Sequence, residues 1–217
     1  MENKIFNEEK ENITTIMRGN GRKYSVRTNR DRFFFPDELM ATLDKAKKKS
    51  EFTFRFLVNT GARINEARNV KVSDIDLDRN RIVLRITKVK AKKHEKNPRP
   101  RIIPISTQYS KLLRKHIRDS ALGPEDYLGI LSTPAANIAL KLAIERAGIK
   151  DPHMFSIHNI RKTLETWLLA LGVDGLSVTA HIGHSMATAA AHYVSADVFS
   201  WEEKSKMREI IGDLYRR

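Results

Sequence analysis

The clearest helical pattern in the chain is HNIRKTLETWLLALG, residues 158–172. Apolar residues recur in it every three or four positions, as on the core-facing side of one helix, and Gly172 is typical of a helix end. His158 and Arg161 fall outside this apolar stripe, three residues apart at the helix start, where Ser156 is a suitable N-cap. The stripe consists of Ile160, Leu164, Trp167, Leu168 and Leu171. The pattern predicts a core helix with two polar side chains at its N-terminal end.

Other segments also have helical patterning. A short helix over INEARNV, residues 64–70, would carry Glu66 one turn beyond Arg63. The stretch EFTFRFLV, residues 51–58, stays ambiguous, because its phenylalanines alternate as in a strand whereas the apolar pair at its end breaks the alternation. The remaining predicted helices lie near residues 107–119, 134–147 and 175–182, with a tail helix near 200–215.

A small sheet is predicted from two segments that are rich in β-branched residues, RIVLRIT (81–87) and RIIPIS (101–106). The connection between them, KVKAKKHEKNPRP, is long and rich in lysine, so the pair forms a hairpin with a basic tip. The sequence therefore predicts an α+β fold that is mostly helical, with a small antiparallel sheet packed on a helical bundle.

Charge and composition limit the functions that the chain can have. The chain has 40 Lys and Arg residues against 26 Asp and Glu residues, a formal net charge of +14. This excess favours nucleic acid as a partner, because neutralising phosphates releases counterions, and a charge-rich solvated surface is the alternative. The lack of cysteine excludes disulfides, thiolate metal sites and cysteine nucleophiles. The first residues show no signal peptide and no long apolar run, so a cytoplasmic protein without a membrane partner is expected.

Residues 1–32 are polar and end in a basic run with little periodicity, which predicts an arm or a remnant linker. Arg22, Lys23 and Arg27 are candidates for contacts with a DNA backbone, and a disordered tail is the alternative. The compact domain is predicted to span residues 33–217, with the tail helix at its end.

Four short motifs stand out by their order and spacing: TGARINEA (60–67), HNIR (158–161), HIGHS (181–185) and AHYV (191–194). Each is weak alone, since such residues usually cap helices, form ion pairs or pack. Together they resemble the tyrosine recombinase family, the phage-integrase type of site-specific recombinase. The resemblance covers about residues 33–200 and includes a basic hairpin after the first arginine motif.

The resemblance implies that the chain cuts and rejoins DNA through a 3′-phosphotyrosine at Tyr193, without a metal ion, another cofactor or ATP. The residue types suit this reaction. Arg63 and Arg161 can grip nonbridging phosphate oxygens and stabilise charge that develops on phosphorus. His158 suits a base or proton shuttle for the phenol, and His184 is expected to hydrogen-bond the scissile phosphate.

The acid for the leaving oxygen is, by the same resemblance, a lysine at the end of the first hairpin strand. Lys88 is the first candidate and Lys90 the second. Lys90, Lys92 and Lys93 are otherwise expected to contact phosphates or to carry solvated charge. Glu66 is expected to orient the active site from one helical turn beyond Arg63, with an ordinary surface ion pair as the alternative.

The resemblance also implies assembly and partners. Four copies on two sites of double-stranded DNA are expected, with a monomer in solution as the alternative. The tail helix resembles one that packs on a neighbouring protomer, and self-packing is its alternative. The short N-terminal region leaves no room for the family's usual core-binding domain. The alternatives are a catalytic fragment, a naturally reduced integrase, or an enzyme for which a separate core-binding domain or accessory protein supplies the missing part.

Two rival interpretations stay open. A type IB topoisomerase-like enzyme would relax supercoils with the same chemistry, and a non-cleaving DNA-binding regulator would keep the fold alone. Within the recombinases, the basic, cysteine-free composition and the short N-terminal region suggest an archaeal or viral integrase.

Overall fold

The computed structural model describes residues 14–17, 23–26, 32–85, 100–183 and 198–216. The N-terminal region contains two strands, β1 (Thr14–Met17) and β2 (Lys23–Val26), which pair antiparallel. Sequence analysis predicted no strand there. Of the predicted arm contacts, Lys23 is the first residue of β2, whereas Arg22 and Arg27 lie outside the described residues.

Helices form most of the described chain. The predicted spans near 107–119, 134–147, 158–171 and 175–182 agree with the observed helices to within one residue at each end. The tail helix ends earlier than predicted, because Gly212 follows it with a positive φ of 62°. The helices are α1 (Pro36–Lys45), α2 (Lys48–Thr60), α3 (Ile64–Arg68), α4 (Thr107–Asp119), α5 (Thr133–Arg146), α6 (Ile157–Ala170), α7 (Gly175–Ile182) and α8 (Trp201–Ile211).

The ambiguous stretch EFTFRFLV is helical and lies within α2. Phe54 and Phe56 are buried, and so are the adjacent Leu57 and Val58. Burial at consecutive positions suits a helix that is covered on several sides, and α2 packs against both α5 and α6. Tertiary packing therefore decides a segment whose pattern alone fitted a strand equally well.

The sheet has three antiparallel strands in the order β3 (Ile75–Asp76), β4 (Arg81–Leu84) and β5 (Arg101–Pro104). The predicted pair is β4 and β5, in which Ile82 lies opposite Ile103. Both side chains are buried, as expected for the covered face of a half-exposed sheet. Strand β3 was not predicted, because two residues are too short to display an alternating pattern.

Helix α6 lies at the centre of the described fold, in contact with α2, α5, α7 and α8. The segment before α1 is fixed to it, since the Trp167 indole donates to Phe34 O at 3.0 Å and Phe34 N donates to Thr163 at 2.8 Å. Arg32, at the end of the predicted arm, is buried with its guanidinium 4.3 Å from the Phe155 ring centre. The packed part of the chain therefore includes Arg32.

Strand β5 contacts α7, so the edge of the sheet lies beside the end of that helix. The observed architecture is the predicted α+β fold, mostly helical with a small three-stranded antiparallel sheet, and the described residues also include the separate β1–β2 pair. Among the described residues, every helix is too short or too polar to cross a bilayer.

Candidate active site

Two helix ends meet at the candidate site. Helix α2 ends at Gly61 and α7 ends at Gly183, with left-handed φ angles of 58° and 74°. A β-carbon on Gly61 would lie only 2.6 Å from Ile182 Cδ1. Glycine is therefore required at Gly61 both for its backbone angle and for the close approach of α7.

Arg161 lies between these two helix ends and is only 2% exposed. Its two terminal nitrogens donate to the backbone carbonyls of Gly61 and Ile182. Carbonyls at helix C-termini carry the negative end of the helix dipole, so they stabilise the buried cation. Burial, and then the neighbouring charges of Arg63 and Arg101, lower the pKa of Arg161 to about 9, which still leaves it charged at neutral pH.

This burial differs from the sequence prediction, which placed Arg161 outside the apolar stripe with His158. Helix α6 is covered on nearly all sides by its neighbours, so its polar positions are buried as well as its apolar ones. His158 is exposed in the first turn of α6. Ser156 is the N-cap, as predicted, and its N–H donates to the Asn159 amide oxygen at 2.6 Å.

Arg63 precedes α3 and is the most open arginine of the described site, with 46% of its side chain exposed. Its backbone N–H and its Nη1 each donate to a different Glu66 oxygen, both at 2.9 Å. Its Nη2 faces Gly183 O at 3.5 Å, which is long for a hydrogen bond. One edge of this guanidinium is thus held in place while the side chain remains accessible to an anion.

Glu66 is buried, with 1% of its side chain exposed, so the interpretation as a surface ion pair is wrong. It also binds Arg101, which donates from Nη1 to Oε1 at 3.2 Å and from Nη2 to Oε2 at 2.8 Å. Burial raises the pKa of Glu66, but the hydrogen bonds from Arg101 and Arg63 lower it more. The net pKa therefore lies below the ordinary value of 4.5.

Arg101 is the site residue that sequence reasoning missed. It opens β5, directly after the lysine-rich connection, and its guanidinium lies over Gly183. A β-carbon on Gly183 would be 2.8 Å from Arg101 Nη1, so this glycine is needed for the arginine as well as for its φ of 74°. The only available signal was a cation at the start of an otherwise apolar strand.

The described residues therefore bring together Arg63, Glu66, Arg101 and Arg161 at the ends of α2 and α7. Three guanidiniums and one carboxylate leave a formal charge of +2, which suits a phosphate group. Within the same part of the chain, no three acidic or histidine side chains are grouped as a metal site. The other predicted site residues lie outside the described residues: Lys88, Lys90, Lys92, Lys93, His184 and Tyr193.

Comparison with known proteins identifies the class of fold first. The chain superposes on the catalytic domain of bacteriophage HP1 integrase with a TM-score of 0.56 at 18% identity, covering 85% of this chain and 96% of that one. It also superposes on the XerH site-specific recombinase bound to its palindromic difH substrate, with a TM-score of 0.57 at 18% identity, over 86% of this chain and 54% of XerH. The fold is that of a tyrosine recombinase catalytic domain.

Residues 36–198 match the phage integrase family, and the chain belongs to that family. Tyrosine recombinase XerA of Thermococcus kodakarensis is 26% identical over 183 residues, which cover 79% of this chain and 60% of XerA. The chain thus spans less than two thirds of the length of this relative. The family and the fold class predicted from the sequence are both confirmed.

Proposed function

We propose that this chain is the catalytic domain of a site-specific DNA recombinase that cleaves and rejoins DNA through a phosphotyrosine at Tyr193. The observation that carries the proposal is the group of three guanidiniums at the ends of α2 and α7, in which Arg63 and Arg101 are paired with the buried Glu66 and Arg63 is half exposed. Such a cluster offers fixed positive charge where a phosphodiester gains negative charge in its transition state. Membership of the phage integrase family and the net charge of +14 support DNA as the substrate.

In the proposed reaction, the Tyr193 oxygen attacks phosphorus and the bond from phosphorus to the 5′ oxygen breaks. Half-exposed Arg63 meets the nonbridging oxygens, whereas Arg161, which is buried and bonded to two carbonyls, stabilises the developing charge from within the fold. His158 takes or relays the phenol proton, His184 hydrogen-bonds the phosphate, and Lys88 protonates the leaving 5′ oxygen. The roles of Tyr193, His184 and Lys88 rest on the motifs alone.

The product is a 3′-phosphotyrosine and a free 5′ hydroxyl. One phosphodiester bond replaces another, so the reverse attack by a 5′ hydroxyl reseals DNA without ATP or a metal ion. When the hydroxyl comes from another duplex, the same step exchanges strands. Four copies on two DNA sites would bring two duplexes together, and the DNA complex of the XerH relative supports DNA as the direct partner.

Among the rivals, a type IB topoisomerase-like enzyme is not favoured, because the family match and the relatives are recombinases. A non-cleaving regulator would share the fold but not the covalent step. The proposal therefore depends on whether the chain forms a covalent bond to DNA.

The test is covalent capture on nicked DNA. The full chain is incubated with a labelled pool of nicked duplexes whose central 30 or so base pairs are randomised, since the target sequence is unknown. The nick lets the cleaved end diffuse away, so the adduct accumulates and survives a denaturing gel. We expect adducts with the wild type and none with Tyr193→Phe, with the DNA-linked peptide containing Tyr193 by mass spectrometry.

Sequencing the captured DNA then defines a preferred duplex for kinetic work. The absence of any wild-type adduct, or an adduct that persists in Tyr193→Phe, would overturn the proposal. Supercoil relaxation without exchange of strands between two captured duplexes would favour the topoisomerase-like rival.

A further inference from the structure

We infer that Arg101 is a positioning residue of this site, which balances the charge of Glu66 and so leaves the charge of Arg63 to the DNA phosphate. The inference rests on the proposed function of the site. It concerns a residue outside the four sequence motifs, at the first position of β5.

The geometry around Glu66 is the first step. Its two oxygens accept four hydrogen bonds, two from Arg63 and two from Arg101. Arg101 uses both terminal nitrogens, one on each oxygen, which is the bidentate arrangement that fixes a carboxylate most firmly. Glu66 therefore cannot turn away from Arg63, and the exposed guanidinium of Arg63 is held in one orientation.

The charge balance is the second step. Without Arg101, the buried carboxylate of Glu66 and the guanidinium of Arg63 would form a neutral pair. Attraction between charges is strong where water is excluded, so this pair would weaken the hold of Arg63 on an anion. With Arg101 the three side chains keep a formal charge of +1, and the site as a whole keeps +2 when Arg161 is included.

The third step separates Arg101 from the residues that touch the substrate. Only 14% of its side chain is exposed, and both terminal nitrogens are engaged with Glu66. Its guanidinium lies against Gly183, the residue before His184. Arg101 thus acts on the phosphate through Glu66 and Arg63, and it fixes the backbone from which the Gly-His motif continues.

A purely structural role makes a different prediction. If Arg101 only stabilises the fold, a second substitution in the same buried site should not restore the activity that its loss removes. If it balances charge, replacing Glu66 by the similarly shaped, neutral glutamine should restore part of the activity that Arg101→Met loses. The double variant Arg101→Met with Glu66→Gln is therefore the deciding protein.

The experiment measures single-turnover formation of the covalent adduct on the captured duplex, with thermal unfolding of each variant alongside. We expect Arg101→Met to react about 100-fold more slowly than the wild type, as when an aligned group is misplaced or a preorganised charge is lost. Arg101→Lys, which keeps the charge but not the two-nitrogen contact with the carboxylate, should react about 10-fold more slowly than the wild type. The double variant should react about 10-fold faster than Arg101→Met, because the uncompensated carboxylate is gone.

The matched control is Arg114→Met. Arg114 lies on α4 with 60% of its side chain exposed and pairs with Asp78 at 3.2 Å, so its loss removes the same formal charge from another part of the surface. Its rate should equal that of the wild type.

A wild-type rate in Arg101→Met, or a double variant no faster than Arg101→Met, overturns the inference and leaves the proposed function intact. Failure of the wild type to form an adduct overturns both. If Arg101→Met does not fold, Arg101→Lys decides, and a wild-type rate in that folded variant rejects the positioning role.

Discussion

Replacing Gly61 by alanine tests the meeting point of α2 and α7 directly. Gly61 has a φ of 58°, and its carbonyl accepts a hydrogen bond from Arg161. A β-carbon there would lie 2.6 Å from Ile182 Cδ1 and 3.1 Å from Leu164 Cδ2. The substitution therefore adds backbone strain and a steric clash beside Arg161, the proposed catalytic arginine.

The size of the effect follows from these two terms. A left-handed backbone costs an ordinary residue about 1 kcal/mol or slightly more. Forcing one additional methyl into a packed interior costs about 2 kcal/mol, within the usual range for overpacking. We expect Gly61→Ala to lower the free energy of unfolding by about 3 kcal/mol, which corresponds to a fall in Tm of roughly 6–12 °C for a chain of this size.

Gly148→Ala is the matched control. Gly148 follows α5 with a φ of 68°, but nothing lies within 4 Å of the position that its β-carbon would take. In this variant the free energy of unfolding should fall only by the cost of the left-handed backbone, about 1 kcal/mol. Urea unfolding of both variants at neutral pH measures the difference. Equal losses would refute the reasoning, because the clash with Ile182 would then cost nothing.

Three further results are expected. Arg161→Lys should slow adduct formation about 100-fold or more in single-turnover assays, because one ammonium cannot donate to the Gly61 and Ile182 carbonyls at the same time as the two guanidinium nitrogens do. A wild-type rate in this variant would remove Arg161 from the site. Burial, and then Arg101, lower the pKa of His181 to about 4, so the folded state keeps it neutral while the unfolded chain protonates it near 6.5. His181 should therefore contribute a loss of about 2 kcal/mol in the free energy of unfolding between pH 7 and pH 5. Urea unfolding of His181→Leu should lack this contribution, and a pH dependence identical to that of the wild type would contradict it. EDTA should leave adduct formation unchanged, whereas a strict need for a divalent ion would contradict the proposed mechanism.

Most helices were predictable because their patterning reflects one buried face. The sheet was predictable where β4 and β5 carry β-branched residues, and unpredictable at β3, whose two residues show no pattern. The antiparallel strands β1 and β2 are four residues each and lie in a polar segment, so the alternation of Tyr24 and Val26 in β2 is too short to mark a strand. These differences all concern short strands, for which local sequence carries little information.

The site was predictable as a set of residue types but not as a network. Arg63, His158 and Arg161 stand in recognisable motifs, whereas Arg101 is one cation beside a lysine-rich connection and its partner Glu66 is 35 residues earlier. The burial of Arg161 could not be predicted either, because its observed partners are backbone carbonyls. Any sequence offers such carbonyls, so they leave no mark on composition or spacing.

The choice of carbonyls as partners for Arg161 has a physical consequence for the site. A carboxylate would stabilise the buried cation but would also cancel its formal charge, reducing the attraction for a phosphate. The carbonyls of Gly61 and Ile182 supply dipoles at two helix ends without adding any formal charge. The cation can therefore be buried and held rigidly by two carbonyls, while the carboxylates of Glu66 and Glu165 act on it through their charge. Because Gly61 permits the tight approach of α7, this glycine contributes to the electrostatics of the site as well as to its packing.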